Sequence, residues 1–273
     1  IEVYDEQNQS IIRRYDDMQL VAEIQQAIDE DGFELLAQGI SSLQEPDDQS
    51  RYEVLLRMAD NDGMRVPTKA LFSAAERYRM MPQIDRWVVS KTIAKLAKAR
   101  DFIEGQGAMF SINLSGQSLG DDEILEFIEE EIAQSELPAS CLCFEITESA
   151  AVSNFDKAQG FIDRLRAIGC GISLDDFGAG LSSFAYLKNF NVDMLKIDGS
   201  FIVDIAENRI SESMVAAITQ VAKVMELQTV AEFVQNEETR GLLAEMGVDF
   251  AQGHLFGKPK TFDEVIEDLS TLA

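Results

Sequence analysis

Histidine is almost missing from this sequence. A single residue, His254, stands among 273. That excludes HExxH sites and His-rich metal centres, and leaves room for a Ser-His-Asp triad only if His254 is its base. Cysteine is nearly as scarce, with Cys141, Cys143 and Cys170 alone. An odd count without CxxC spacing argues against a disulfide framework or a zinc knuckle and fits a reducing cytoplasm. No apolar run approaches the roughly 20 residues that a membrane span requires. Positive charge is short as well: 23 Lys and Arg face 49 Asp and Glu, for a net charge of -26. Such a surface repels nucleic-acid duplexes and anionic lipid, so neither DNA nor a membrane is an expected partner. A phosphate-bearing ligand would need metal ions or a few well-placed cations as intermediaries. The chain opens at Ile1 with no basic-then-apolar leader, and is expected to be a piece of a longer protein.

What the sequence does have is length and a 46% hydrophobic content, enough for one large domain. An α/β barrel needs roughly 250 residues. Residues 1–17 are polar and acidic and read as a linker from an upstream domain, leaving 18–273 as the domain itself. A helix is expected at 18–30, where Leu20, Val21, Ile24 and Ile28 share a face. Apolar, β-rich runs then recur at 33–43, 52–58, 108–115, 142–148, 171–177, 194–200, 228–234 and 250–256. Helical patterns lie at 68–100, 121–134, 155–168, 211–226 and 236–246, with a last one at 262–272. Strand–helix alternation implies parallel strands with right-handed crossovers, and this many strands imply closure into a barrel. One junction breaks the rule. Only the polar stretch 45–51 separates the first two runs, whereas a parallel crossover needs about a dozen residues. The expected fold is therefore α/β, a modified TIM (βα)8 barrel with an antiparallel first strand. The segment 178–192 also lacks a full helix, and Ser182 and Ser183 are placed to cap a short turn.

The strands do not read as ordinary barrel staves. Side chains alternate faces along a strand. Ile112 and Leu114 oppose Ser111, Asn113 and Ser115; Leu195 and Ile197 oppose Lys196 and Asp198. Ala231 and Phe233 oppose Glu232, and Leu255 opposes Gln252 and His254. The apolar faces must meet the outer helices, so the polar ones point inward. Barrel interiors are normally filled with branched apolar side chains, and polar groups there are costly unless paired or bound to a ligand. Seven acids fall at such positions, Glu53, Glu145, Glu148, Asp175, Asp176, Asp198 and Glu232, against two cations, Arg57 and Lys196. Taken singly, each has a plain reading: Glu53 as a salt-bridged strand residue, Lys196 as a partner for Asp198, His254 as structural, Cys143 and Cys170 as core. Their coincidence points instead to divalent cations, and hard oxygen ligands suit Mg²⁺ or Mn²⁺.

Several stretches carry a resemblance: YEVLLRM (52–58), IDRWV (84–88), NLS (113–115), EITE (145–148), LDDFGAGLSSFAYL (174–187), LKIDGSF (195–201), VAEFV (230–234) and QGHLFGKP (252–259). In this order over residues 20–262 the chain resembles the EAL-domain family, bacterial cyclic di-GMP phosphodiesterases, with Glu53-Val54-Leu55 as a variant of the name motif. The resemblance implies an antiparallel first strand and a catalytic set of Glu53, Lys196 and Glu232. It implies two ions, Mg²⁺ or Mn²⁺, on Glu53, Asn113, Glu145, Asp175, Asp176 and Glu232. It implies substrate contacts from Leu55, Arg57, Asp85, Asp198, Gln252 and Phe256, with Arg57 on phosphate and Asp85 and Phe256 on guanine. Glu148 is expected to hold the loop after Asp176 and couple it to a homodimer contact around Phe184 and Tyr186. A diguanylate cyclase or sensor domain is expected upstream. Two positions depart from the pattern, Phe233 for Gly and Gln235 for Glu, and the second metal site is where the change would tell. The expected activity is hydrolysis of cyclic di-GMP to linear pGpG. The alternative is a receptor that binds the nucleotide without cleaving it. An unrelated barrel metalloenzyme acting on a carbonyl would leave Arg57 and Phe256 without a purpose.

Overall fold

The computed structural model describes residues 18–44, 51–60, 63–180 and 184–271. Helix α1 (18–29) leads into β1 (Phe33–Ser42), which pairs antiparallel with β2 (Arg51–Met58) in a register running from Phe33↔Met58 to Ile40↔Arg51. From β2 the sheet continues in parallel through β3 (Met109–Leu114), β4 (Leu142–Thr147), β5 (Gly171–Phe177), β6 (Met194–Ile197), β7 (Gln228–Ala231) and β8 (Phe250–Ala251). It closes where β8 meets the free edge of β1, antiparallel, at Ser41↔Ala251 and Ser42↔Phe250. A short β9 (Lys260–Thr261) adds to β1 beside Leu36 and Ala37. The short polar connection thus predicts the reversal of β1 correctly.

The helical stretch expected over 68–100 is two helices, α2 (Thr68–Arg77) and α3 (Met81–Lys98), and a third, α4 (Arg100–Gln106), follows where none was expected. Arg79 breaks the first junction at φ 58°, and Pro82 sits in the first turn of α3, where its missing N–H costs nothing. The remaining crossovers use α5 (Asp122–Ser135), α6 (Glu148–Ser153), α7 (Phe155–Ala167), α8 (Phe184–Leu187), α9 (Gly199–Ile202), α10 (Arg209–Val224) and α11 (Glu237–Glu245), and α12 (Phe262–Thr271) ends the described chain. The caps expected from Ser182 and Ser183, and the side chain of Phe184, lie outside what is described. Asp121, Asn208 and Asn236 start α5, α10 and α11 by accepting backbone N–H groups within the first turn.

Three strands stop earlier than the apolar runs suggest. Asp198 ends β6 by capping α9, accepting from the Ser200 backbone N–H. β7 ends at Ala231, and Phe233 lies beyond it in the left-handed region at φ 56°. β8 ends at Ala251 because the chain must pass against Val234: a Cβ at Gly253 would lie 2.1 Å from the Val234 carbonyl oxygen. Glu232 and Gln252, one residue past the strand ends, still face inward, but alternation fails at the residues that follow. Phe233, expected to face the helices, is 61% exposed. His254, expected to face inward, is exposed.

Inside the barrel the alternation holds and builds layers. Ile40, Cys143, Met194 and Val230 form a small apolar cluster of their own. One inward step further along each strand stand Gln38, Glu145, Lys196 and Glu232. The barrel is thus plugged with apolar side chains at one level and charged at the next. Outside, Phe144, Ile146, Leu195 and Ile197 join the main core with Phe161, Ile162, Val215 and Ile218 of α7 and α10. All three cysteines are buried and free, as core packing requires.

Candidate functional site

Lys196 is at the centre of the charged layer. Its side chain is 1% exposed and its ammonium contacts four carboxylates: Glu145 at 2.7 Å, Glu232 at 2.9 Å, Asp175 at 3.3 Å and Glu53 at 3.4 Å. These come from β4, the end of β7, β5 and β2, so closure of the barrel is what assembles them. One cation among four acids leaves excess negative charge in a dry place. Burial opposes the charge on Lys196, but the surrounding carboxylates overcome it and raise its pKa well above the usual value. Burial pushes Glu145 up to about 8, with Lys196 opposing and Glu53 and Asp175 adding. Glu232 is pushed up to about 7 in the same way. Burial also disfavours charge on Glu53, but Lys196 and hydrogen bonds from Gln252 and Asn113 hold it below the ordinary value. Gln252 Nε2 donates to Glu53 Oε2 at 2.7 Å and Asn113 Nδ2 to Glu53 Oε1 at 2.8 Å.

Asp175 and Asp176 are neighbours in sequence, so a regular strand would send them to opposite faces. The pairing of β5 with β6 slips between Leu174 and Phe177, and Asp176 adopts φ 53°. This bulge turns both acids the same way. Oxygens of Asp175, Asp176 and Glu232 lie within 4.8 Å of one another. Burial, together with the charges of Asp175 and Asp198, raises the Asp176 pKa. Glu145 Oε1 is buried with no hydrogen-bond partner among the described residues. An orphaned carboxylate oxygen at this depth costs about 1–3 kcal/mol or more, and hard divalent cations are the groups that suit an all-oxygen site. The donor set therefore fits hard divalent cations. Just beyond the bulge, Glu148 Oε2 accepts from Gly178 N–H at 3.1 Å, which pins the start of the following loop.

Two cavities open on either side of Glu53, Leu55 and Arg57, which line both. One, about 320 Å³, is bounded by Phe72, Ile84, Asp85, Val88 and Ser115. The other, about 480 Å³, is bounded by Gln38, Phe233, Gln235, Gln252, His254 and Pro259. Both fall in the usual size range for small-molecule sites, roughly 300–1,000 Å³. Asp85 is buried on α3; its Oδ2 accepts from Ser115 N–H at 2.9 Å and Ser118 Oγ at 2.6 Å. Burial pushes its carboxyl up to about 6. Of the residues expected at the site, Glu53, Leu55, Arg57, Asp85, Asn113, Glu145, Asp175, Asp176, Lys196, Glu232 and Gln252 do converge. Asp198 caps α9 and also lies within hydrogen-bond reach of Asp176, at the edge of the acid cluster. Phe256 packs partly buried against the core without lining either cavity.

Gln38 is the site residue that sequence reasoning missed. It is buried on β1, donates through Nε2 to the Gly257 carbonyl at 2.9 Å and accepts from Gln252 at 3.2 Å. The signal was present: Gln38 shares the face of Ile40, so alternation along β1 already sends a polar side chain inward.

Residues 21–259 match the EAL domain family. The chain belongs to that family. Its sequence is 35% identical to cyclic di-GMP phosphodiesterase PdeB of Shewanella oneidensis, over 99% of this chain and 31% of that protein. It is 34% identical to cyclic di-GMP phosphodiesterase PdeF of Escherichia coli, over 94% of this chain and 34% of that protein. The chain thus spans about a third of the length of these curated relatives. Among solved structures, the PaMucR phosphodiesterase in its c-di-GMP complex superposes with a TM-score of 0.84 at 28% identity, covering 90% of this chain and 99% of the other.

Two features of this EAL domain stand out against the expected pattern. Gln235 is exposed at the cavity rim and makes no hydrogen bond to Glu232 or Lys196. Phe233 holds a left-handed backbone that costs an L-residue about 1–2 kcal/mol and that glycine adopts freely. Its ring rests on Gly199, where an added Cβ would come within 2.2 Å of the ring.

Proposed function

We propose that this EAL domain hydrolyses cyclic di-GMP to linear pGpG, using two divalent ions, Mg²⁺ or Mn²⁺. The observation that carries the reading is the oxygen cluster of Asp175, Asp176 and Glu232 beside the orphaned Glu145 oxygen. Glu53, Asn113, Glu145, Asp175, Asp176 and Glu232 would hold the ions. Ions bound there would supply charge neutralisation at phosphate and acidify a water. The chain's own groups do the rest. Lys196, fixed among four carboxylates, would help orient the attacking water; the same carboxylates raise its pKa and make it a weak acid, so protonating the leaving oxygen suits it less. Arg57, between the two cavities, would bind phosphate. The cavities flanking it suit the two bases of a cyclic dinucleotide, with Asp85 accepting from the N–H edge of one. The names of the relatives and the nucleotide complex of the neighbour support this reading.

The receptor alternative gains from Phe233 and Gln235 only if they disturb the acids. Because Gln235 does not touch them, its lost charge leaves the carboxylate ring intact, which favours the enzyme. Glu148 and the loop that follows Asp176 would link the site to a homodimer contact near Tyr186, which is 40% exposed. An upstream partner domain and a cytoplasmic setting complete the proposal. Among the described residues no helix is long and apolar enough to cross a membrane. The deciding experiment incubates the chain with cyclic di-GMP and Mg²⁺, or with EDTA, and separates products by chromatography. pGpG should form only with metal. Equal turnover in EDTA refutes the metal mechanism, and tight binding without turnover in Mg²⁺ selects the receptor.

A further inference from the structure

Phe233 does nothing for the fold that its neighbours require. Its backbone is in the left-handed region at φ 56°, and its ring is 61% exposed. An aromatic side chain so placed forgoes most of its hydrophobic gain and adds backbone strain, and glycine would relieve the strain. Strain of this kind persists where the surroundings hold it and clusters at ligand sites. Here the surroundings hold it in a definite way. The ring is backed by Gly199, where no side chain could fit without moving it. It forms part of the wall of the 480 Å³ cavity, together with Glu53, Arg57, Gln235 and His254. A backed, exposed aromatic ring beside a cationic group and polar edges is the arrangement that stacks a nucleobase.

We propose that Phe233 is a stacking platform for one purine base of the ligand in this cavity, held in place by Gly199. The inference rests on the reading of the two cavities as a cyclic dinucleotide site. Phe233 sets affinity and orientation, while the carboxylate ring and Lys196 are left to the chemistry.

The test is calorimetric titration of cyclic di-GMP in EDTA, where hydrolysis does not intrude. Failure of the unaltered chain to bind overturns the dinucleotide reading and the platform with it. If it binds, Phe233→Gly should weaken affinity roughly 5- to 100-fold, the range expected for one base–aromatic stack. The same variant should melt no lower than the parent, because glycine is at ease at this φ; that separates lost stacking from lost fold. Phe233→Trp should bind at least as well as the parent, and its added indole emission should be quenched by ligand against a single other tryptophan, Trp87. Gly199→Ala, which displaces the ring, should weaken binding in the parent and have little further effect in Phe233→Gly. Parent-like affinity in Phe233→Gly, or unquenched emission in Phe233→Trp, overturns the platform while leaving the dinucleotide reading standing.

Discussion

Replacing Asp85 with Asn should stabilise the domain at neutral pH and weaken its hold on the nucleotide. The carboxyl is buried, and its pKa is raised from 3.8 to about 6. Because the folded value lies above the unfolded one, the fold prefers the neutral form. The contribution is complete below 3.8 and is lost as pH rises through about 6. Raising a carboxyl this far costs about 3 kcal/mol of stability at neutral pH. About half of that accrues between about pH 5 and about pH 7.5, where the protein can be handled. Asn is nearly isosteric, and both donors reach a single oxygen, Oδ2, so the amide oxygen of Asn can accept both. Melting curves of parent and variant across this range should diverge by about 1–2 kcal/mol in favour of the variant. That corresponds to roughly 2–8 °C in Tm. Titration with cyclic di-GMP should show the opposite sign, since Asn replaces a carboxylate acceptor with an amide. A stability difference that is flat with pH would refute the buried-acid argument. Unchanged affinity would remove Asp85 from the nucleotide contact.

Lys196→Met strips the ring of its cation, so without metal the variant should lose about 3–5 kcal/mol in urea melts; added Mg²⁺ should restore more stability to it than to the parent, and turnover should vanish. Arg57→Ala should weaken nucleotide binding by about 1.5–3 kcal/mol, the value of a hydrogen bond to a charged group, with calorimetry as the readout. Gln235→Glu should give a Mg²⁺ titration of rate that superimposes on the parent's, because the side chain is exposed and bonded to none of the acids; a lower half-maximal Mg²⁺ would reveal a role in orienting a group that holds the ion. Glu148→Ala frees the Gly178 N–H and should lower turnover and loosen a dimer seen by sedimentation; full activity in a monomer would break that coupling.

The eight barrel strands and the charged ring are legible because a strand repeats every two residues and the sequence keeps that rhythm through Glu145, Lys196 and Glu53. The rhythm misleads where strands end early. Phe233 and His254 receive the wrong faces when the count runs past Ala231 and Ala251, where the strand pairing has already ended. The side-by-side Asp175 and Asp176 cannot come from alternation at all, since the bulge that unites them is a pairing slip rather than a pattern. The division of 68–100 is legible in principle: Pro82 marks a helix start. The expected roles of Asp198 and Phe256 come from resemblance: Asp198 caps α9 while also reaching Asp176, and Phe256 packs against the core beside the cavities rather than lining them.

The reversed first strand also sets a timetable. β1 finds one neighbour, β2, almost at once, yet its other edge waits for β8 and β9 near residues 250 and 260. At ribosomal rates of about 5–20 residues per second, that edge stays open for roughly 10–40 seconds while the barrel is being made. Unpaired strand edges recruit other strands, and closure across so long a loop is slow. Nascent chains halted before residue 250 should therefore aggregate or engage chaperones, and those released past residue 261 should not. The charged ring shares that schedule, since Glu232 and Gln252 arrive only in the final stretch: the barrel's last stitch and its chemistry are completed together.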